Sequence, residues 1–192
     1  LRAFEGDGTV ESMRAELTAK LVLRFRHSSS ADWPWFEDRL TYCNARLPQA
    51  LLVSAARTGD VEMAEIAERS LEWLVSQHVA ADGTFAPIGT NGFYVRGAPR
   101  AIFDQQPVEA CAMVSACLDA HRVTGQAQWL EHARRAFSWF LGQNPRDAQV
   151  YDARTGGCRD GIHVDRLNEN QGAESTLSFL TALAEMRAAD RL

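Results

Sequence analysis

The sequence predicts an all-α chain folded as about three helical hairpins of an α/α toroid. Three observations predict it. Apolar residues recur at helical spacing through six segments, and nowhere does the apolar-polar alternation of a strand persist. Landmarks repeat: Thr58-Gly59 and Thr124-Gly125, Trp73 and Trp139, and Gln77 and Gln143 each lie 66 residues apart. Finally, segments with one apolar face alternate with segments apolar on almost every side. A period of this length signals stacked helical hairpins, each with an amphipathic outer helix and a buried inner one.

Taken in order, Thr9 to about His27 reads as the first helix, with Thr9 as its N-cap and Val10, Met13, Leu17 and Leu21 as its apolar face. A loop follows that holds Trp33-Pro34-Trp35-Phe36-Glu37-Asp38. The second helix runs from about Thr41 to Ala56, with Pro48 either kinking it or marking its true first turn. The third, from about Val61 to His78, opposes Met63, Ile66, Ala67, Leu71 and Leu74 to Glu62, Glu65, Arg69 and Glu72. A long loop leads to the fourth, about Pro107 to Arg122, which is apolar nearly all round from Ala110 to Leu118 and so belongs inside. The fifth sets Trp129, Leu130, Ala133, Phe137 and Phe140 against Gln128, Glu131, Arg134 and Arg135. A second long loop, Asn144 to Asn170, precedes the last helix. Trp73, Trp129 and Trp139 fall on helix faces that read as core.

Composition bounds the function. A chain of 192 residues with 46% hydrophobic content supports one core, so residues 1–192 read as a single domain. Net charge is −5, from 25 acids and 20 bases with no basic block, which excludes a nucleic-acid groove or an anionic membrane surface and favours a neutral polar ligand. No apolar run approaches the roughly 20 residues of a membrane span, and no signal-peptide pattern opens the chain, so a cytoplasmic location is expected. Cys43, Cys111, Cys117 and Cys158 are too widely spaced for a zinc motif and read as reduced thiols. The histidines His27, His78, His121, His132 and His163 show no paired metal spacing, and all but His163 fall on or near helix surfaces. No cofactor is expected.

The topology locates the function. Every long loop leads into the start of an inner helix and every tight turn leaves its end, so the long loops must gather at one pole, around the positive ends of the inner helix dipoles. Glu174 lies in the opening turn of the last helix; Glu109, 65 residues earlier, opens the fourth; Asn44, 65 earlier again, falls at the matching place. The repeat therefore presents Glu, Glu and Asn at one mouth.

Four motifs carry a family resemblance: Phe36-Glu37-Asp38-Arg39-Leu40-Thr41-Tyr42-Cys43-Asn44-Ala45-Arg46-Leu47-Pro48, Phe103-Asp104-Gln105-Gln106-Pro107-Val108-Glu109-Ala110, Thr155-Gly156-Gly157-Cys158-Arg159-Asp160-Gly161 and Asn170-Gln171-Gly172-Ala173-Glu174-Ser175-Thr176. With the hairpin repeat, they resemble the six-hairpin (α/α) toroid superfamily of glycoside hydrolases and N-acylglucosamine 2-epimerases. Within it they resemble a largely uncharacterised bacterial family that occurs alone or beside glycosyltransferase domains. The resemblance runs from about Trp33 to Met186. It implies a carbohydrate ligand and, as partner, a glycosyltransferase domain. Three hairpins against six imply either a half-toroid or the C-terminal half of a longer toroid whose N-terminal half lies elsewhere.

Glycoside hydrolysis needs one carboxyl that donates a proton and one that activates water or attacks carbon. Glu109, Glu174 and Asp38 are the catalytic candidates, without a firm order among them. A helix N-terminus favours a base or nucleophile at Glu174, and apolar surroundings favour a general acid at Glu109. Trp33, Trp35, Phe36, Phe93 and Tyr94 offer aromatic faces for sugar rings, and Asn44, Arg46, Asp104, Gln105, Gln106, Asp160, Asn170 and Gln171 offer hydroxyl-binding groups. Plainer readings compete: Glu174 as a dipole or capping-box residue, Glu109 paired with Arg46 or Arg100, and Asp104 and Asn170 as caps. A glycan-binding or scaffold module is the alternative to an enzyme. An epimerase-like reading would need histidine proton transfer, for which His163 is the one loop candidate.

Overall fold

The computed structural model describes residues 6–190. Its helices are α1 (Gly8–Ser28), α2 (Arg46–Thr58), α3 (Val61–Gln77), α4 (Pro107–Thr124), α5 (Ala127–Ser138) and α6 (Ala173–Ala189). Two-residue strands β1 (Arg39–Leu40), β2 (Tyr94–Val95), β3 (Gly161–Ile162) and β4 (Leu167–Asn168) lie in the connections. Among the described residues no helix is long and apolar enough to cross a membrane.

The tight turns form as their sequence dictates. Gly59 and Gly125 follow α2 and α4 with φ of 74° and 70°, a left-handed conformation that costs glycine nothing, and their N–H groups close on Ala55 O and His121 O. The next helix starts at once: the Asp60 carboxylate accepts from Met63 N at 2.9 Å and caps α3. Two hairpins result, α2 with α3 and α4 with α5. The inner helix α4 packs on α2, α5 and α6, and from Ala110 to Leu118 every residue is buried. Trp35, Trp129, Trp139, Phe36 and Phe140 belong to the same core, each fully buried.

Three expectations need correcting. The cap of α1 is Asp7, whose carboxylate accepts from Thr9 N at 2.8 Å and Val10 N at 3.2 Å. The buried side of α1 carries Thr18 and Phe25, which meets Phe36 edge-on, while Met13 and Leu17 are more than half exposed; among the described helices α1 packs chiefly on α2 and α3. Lastly, α2 starts at Arg46, with residues 41–45 in a turn; Pro48 then falls in the first helical turn, where its missing N–H removes no bond.

The long connections are stitched together at one pole. Strand β1 pairs antiparallel with β2, with Leu40 opposite Tyr94, tying the first loop to the second. Gln105 and Ile162 form an antiparallel bridge that ties the second to the third, whose own hairpin pairs β3 with β4. Close backbone approach makes this possible: a Cβ on Gly89 would sit 1.6 Å from Phe103 O, and one on Gly161 would sit 2.5 Å from Gln105 O.

Candidate functional site

Local sequence places the two glutamates. Pro107 fixes the first turn of α4, so Glu109 falls within it; α6 starts after Gly172, so Glu174 falls within its first turn. The turn ahead of α2 supplies what meets them. Cys43 adopts a left-handed φ of 51° and donates its N–H to Glu109 Oε1. Asn44 donates its amide to Glu109 Oε2 at 3.3 Å, while its own Oδ1 accepts from Thr41 N at 2.9 Å. Tyr42 reaches the other way, and its hydroxyl donates to Glu174 Oε1 at 2.7 Å. One short segment, Tyr42-Cys43-Asn44, thus bridges both acids.

The two carboxyls live in different surroundings. Glu109 is 1% exposed, and burial pushes its pKa up to about 7 against the pull of the Cys43 N–H and the Asn44 amide. The expected arginines bond elsewhere: Arg46 donates to Gln49 Oε1 at 2.8 Å, and Arg100 to Val79 O at 3.2 Å. Glu174 is exposed. Burial and then the bond to Glu174 push the Tyr42 hydroxyl well above its usual range, with Glu109 adding to the effect. Burial and then Glu109 likewise raise the Cys43 thiol, and Glu174 adds to it against Arg46. Both acids therefore act on the same two side chains.

A second group gathers where the loops cross. Asp104, Gln105, Gln106, Asp160, Gly161, His163, Thr90 and Asn168 line a cleft of about 90 Å³. Asp160 closes the start of α6: Oδ1 accepts from Gly172 N at 2.8 Å, and Oδ2 accepts from the exposed Asn170. Burial raises this carboxyl, but hydrogen bonds from Ser175, Asn170 and Gly172 outweigh it and hold the pKa below the usual range. His163 Nδ1 bonds to Asp104, whose φ of 57° is left-handed. Sequence reasoning noted His163 without joining it to Asp104, since 59 residues separate them.

Several expected ligand groups serve the fold instead. Trp33 and Trp35 are 3% and 1% exposed, so neither presents a face to a sugar; Trp33 donates from Nε1 to Glu37 O and meets Trp73 and Tyr94 edge-on. Phe36 is fully buried, and Tyr94 is half-buried against Trp33. Gln105 is buried between Trp139 Nε1, which donates to its Oε1 at 2.8 Å, and Ile102 O, which accepts from its Nε2. Gln171 accepts from Thr155 Oγ1 at 2.7 Å and donates toward Asp152. Asp38 is exposed and bonds to the adjacent Arg39. His78, expected near the surface, is 1% exposed, and burial drives its pKa down to about 3. Larger grooves run along α1, α2 and α3, but none of them touches Glu109 or Glu174.

By sequence, no protein-family model and no curated protein matches the chain. By structure it matches the GH76A α-1,6-mannanase from Salegentibacter sp. HEL1_6, with a TM-score of 0.59 and 12% identity over 93% of this chain and 55% of that one. An inactive variant of that mannanase, solved in complex with α-1,6-mannotriose, gives a TM-score of 0.59 and 13% identity over the same shares. The fold is that of an α/α toroid. The neighbours are six-hairpin toroid glycosidases, and this chain spans about half their length.

Proposed function

We propose that the chain forms part of a carbohydrate-binding, glycoside hydrolase-like toroid, with Glu109 as general acid and Glu174 as base or nucleophile. The observation that carries this reading is the joint held by Tyr42-Cys43-Asn44, which ties both acids together at the pole where the inner helices begin. A carboxyl with a pKa of about 7 holds its proton in a useful share of molecules at neutral pH, as donation to a leaving oxygen requires. The ligand is a neutral sugar, and the solved neighbour with α-1,6-mannotriose makes α-mannosides the first class to try. Further hairpins complete the ring beside α6 and bring the remaining pocket wall, in line with neighbours about twice as long. The free cysteines fit a reducing, cytoplasmic setting.

A second reading has its own support. Glu109 is sealed beneath the Tyr42-Asn44 turn with its oxygens occupied, as suits a glycan-binding or scaffold module that serves a glycosyltransferase. Turnover and binding on a glycan panel separate the two. Under the enzyme reading, Glu109→Gln or Glu174→Gln abolishes turnover with the fold intact. Under the module reading, sugar binds without turnover and both variants bind as before. Full activity of both variants on an identified substrate refutes the enzyme.

A further inference from the structure

The cleft between the loop before α4 and the loop before α6 is a built feature that the glutamate pair leaves unused. Its walls are fixed by backbone: Thr90 N donates to Asp104 O at 3.1 Å, and Gln105 and Ile162 exchange hydrogen bonds of 3.1 and 2.9 Å in the bridge. Asp104 is held in a left-handed conformation that non-glycine residues rarely adopt, and its carboxylate meets His163. A carboxylate only accepts, so Nδ1 must carry the hydrogen in this bond. In the neutral ring Nε2 is then a bare acceptor.

We propose that Asp104 and His163 form a subsite that binds the hydroxyl-bearing edge of a neutral sugar, with His163 Nε2 accepting a hydrogen bond from one hydroxyl. The inference rests on the carbohydrate reading above and deepens it. The remaining polar lining is Thr90, Gln106, Asp160 and Asn168, a mixture of acceptors and amide donors that suits vicinal hydroxyls. No lining residue is Arg or Lys, and two are aspartates, so the subsite repels uronates and phosphosugars. Size agrees with an edge and not a whole ring: about 90 Å³ corresponds to roughly three waters at about 30 Å³ each. The position agrees as well. Gln106 immediately precedes α4 and Asp160 caps α6, so the cleft opens at the same helix starts that carry Glu109 and Glu174.

The test is an NMR titration of the imidazole nitrogens of the intact chain with neutral methyl glycosides, α-1,6-mannotriose and matched methyl uronides, repeated on His163→Phe and Asp104→Asn. We expect neutral glycosides to shift His163 Nε2, uronides to bind more weakly, and His163→Phe to lose about tenfold in affinity, the size of one hydrogen bond. Asp104→Asn should lose less and should release the ring to both tautomers. Binding to the wild type with an unmoved Nε2, and equal affinity in His163→Phe, overturns the subsite and leaves the carbohydrate reading standing. Preferred binding of uronides overturns the charge argument and the proposal with it. Failure of the folded wild type to bind any sugar overturns both readings. The wild-type titration alone decides the matter if a variant does not fold.

Discussion

Glu109→Gln should change how stability depends on pH, and by a calculable amount. The buried carboxyl titrates at about 7 against an ordinary value near 4.5. A raised carboxyl pKa means the proton favours the folded state, so its contribution is full below about pH 4.5 and is lost as pH rises through 7. The difference of about 2.5 units, at roughly 1.4 kcal/mol each, comes to about 3.5 kcal/mol. Glutamine has no such titration. Its Oε1 can still accept from Cys43 N, but its Nε2 would face the Asn44 amide, a mismatch costing roughly 1–3 kcal/mol at every pH. The variant should therefore be less stable than wild type near pH 5, and the difference should shrink or reverse by pH 8. Urea unfolding of both proteins at half-unit steps from pH 5 to 8.5 measures it. Two stability curves that run parallel across that range would refute the account of Glu109 as a desolvated acid.

Three further outcomes are expected. His78 has the opposite sign: with its pKa driven down to about 3 from an ordinary 6.5, stability is full above pH 6.5 and falls by up to ~5 kcal/mol as pH drops toward 3; His78→Phe should flatten this acid limb in the same unfolding series. Gly89→Ala puts a Cβ 1.6 Å from Phe103 O, a backbone atom that cannot yield cheaply; a loss of at least ~2 kcal/mol, with faster amide exchange around Thr90 and Asp104, would show the loops parting. Leu180→Asp on the open side of α6, where Leu180 is 46% exposed, should change the stability of this chain by under about 0.5 kcal/mol but cost about 2 kcal/mol or more in a polypeptide whose further hairpins cover that side. Equal effects in both would argue against completion of the ring there.

The helices and their order were legible because each rests on local chemistry. The Thr-Gly turns, Asp60 and Pro107 mark ends and starts that no tertiary contact overrides, and the run from Ala110 to Leu118 can be nowhere but inside. Errors arose where tertiary contact decides. Residues Thr41 to Ala45 have no helix breaker, yet Cys43 turns left-handed because Glu109 needs a donor there. Met13 and Leu17 share helical spacing with Leu21, but the described structure covers only part of that face: Leu21 packs on the core while Met13 and Leu17 stay more than half exposed. Trp33 and Trp35 sit in a loop, and sequence does not reveal that Trp73 and Tyr94 come to cover them. The Asp104-His163 contact joins two loops, and no periodicity points to it.

The repeat also explains why two equivalent glutamates differ so much. Glu109 and Glu174 both lie in the first turn of an inner helix, whereas Asn44 lies in the turn before α2; among the described residues α4 packs on the inner helices α2 and α6, while α6 packs chiefly on α4. The turn before α2 closes over Glu109 and removes it from water; beside Glu174 there is no such cover, and the same helix leaves Leu177 and Leu180 exposed on its outer rows. The apolar row and the open acid thus have a single cause, the free side of α6. Adding a neighbour there would bury the leucines and draw water away from Glu174. Under the proposed reading, the contrast between the two acids is in this sense a matter of neighbours: Glu109 is enclosed by the helices already around it, and the surroundings of Glu174 depend on what stands next to α6.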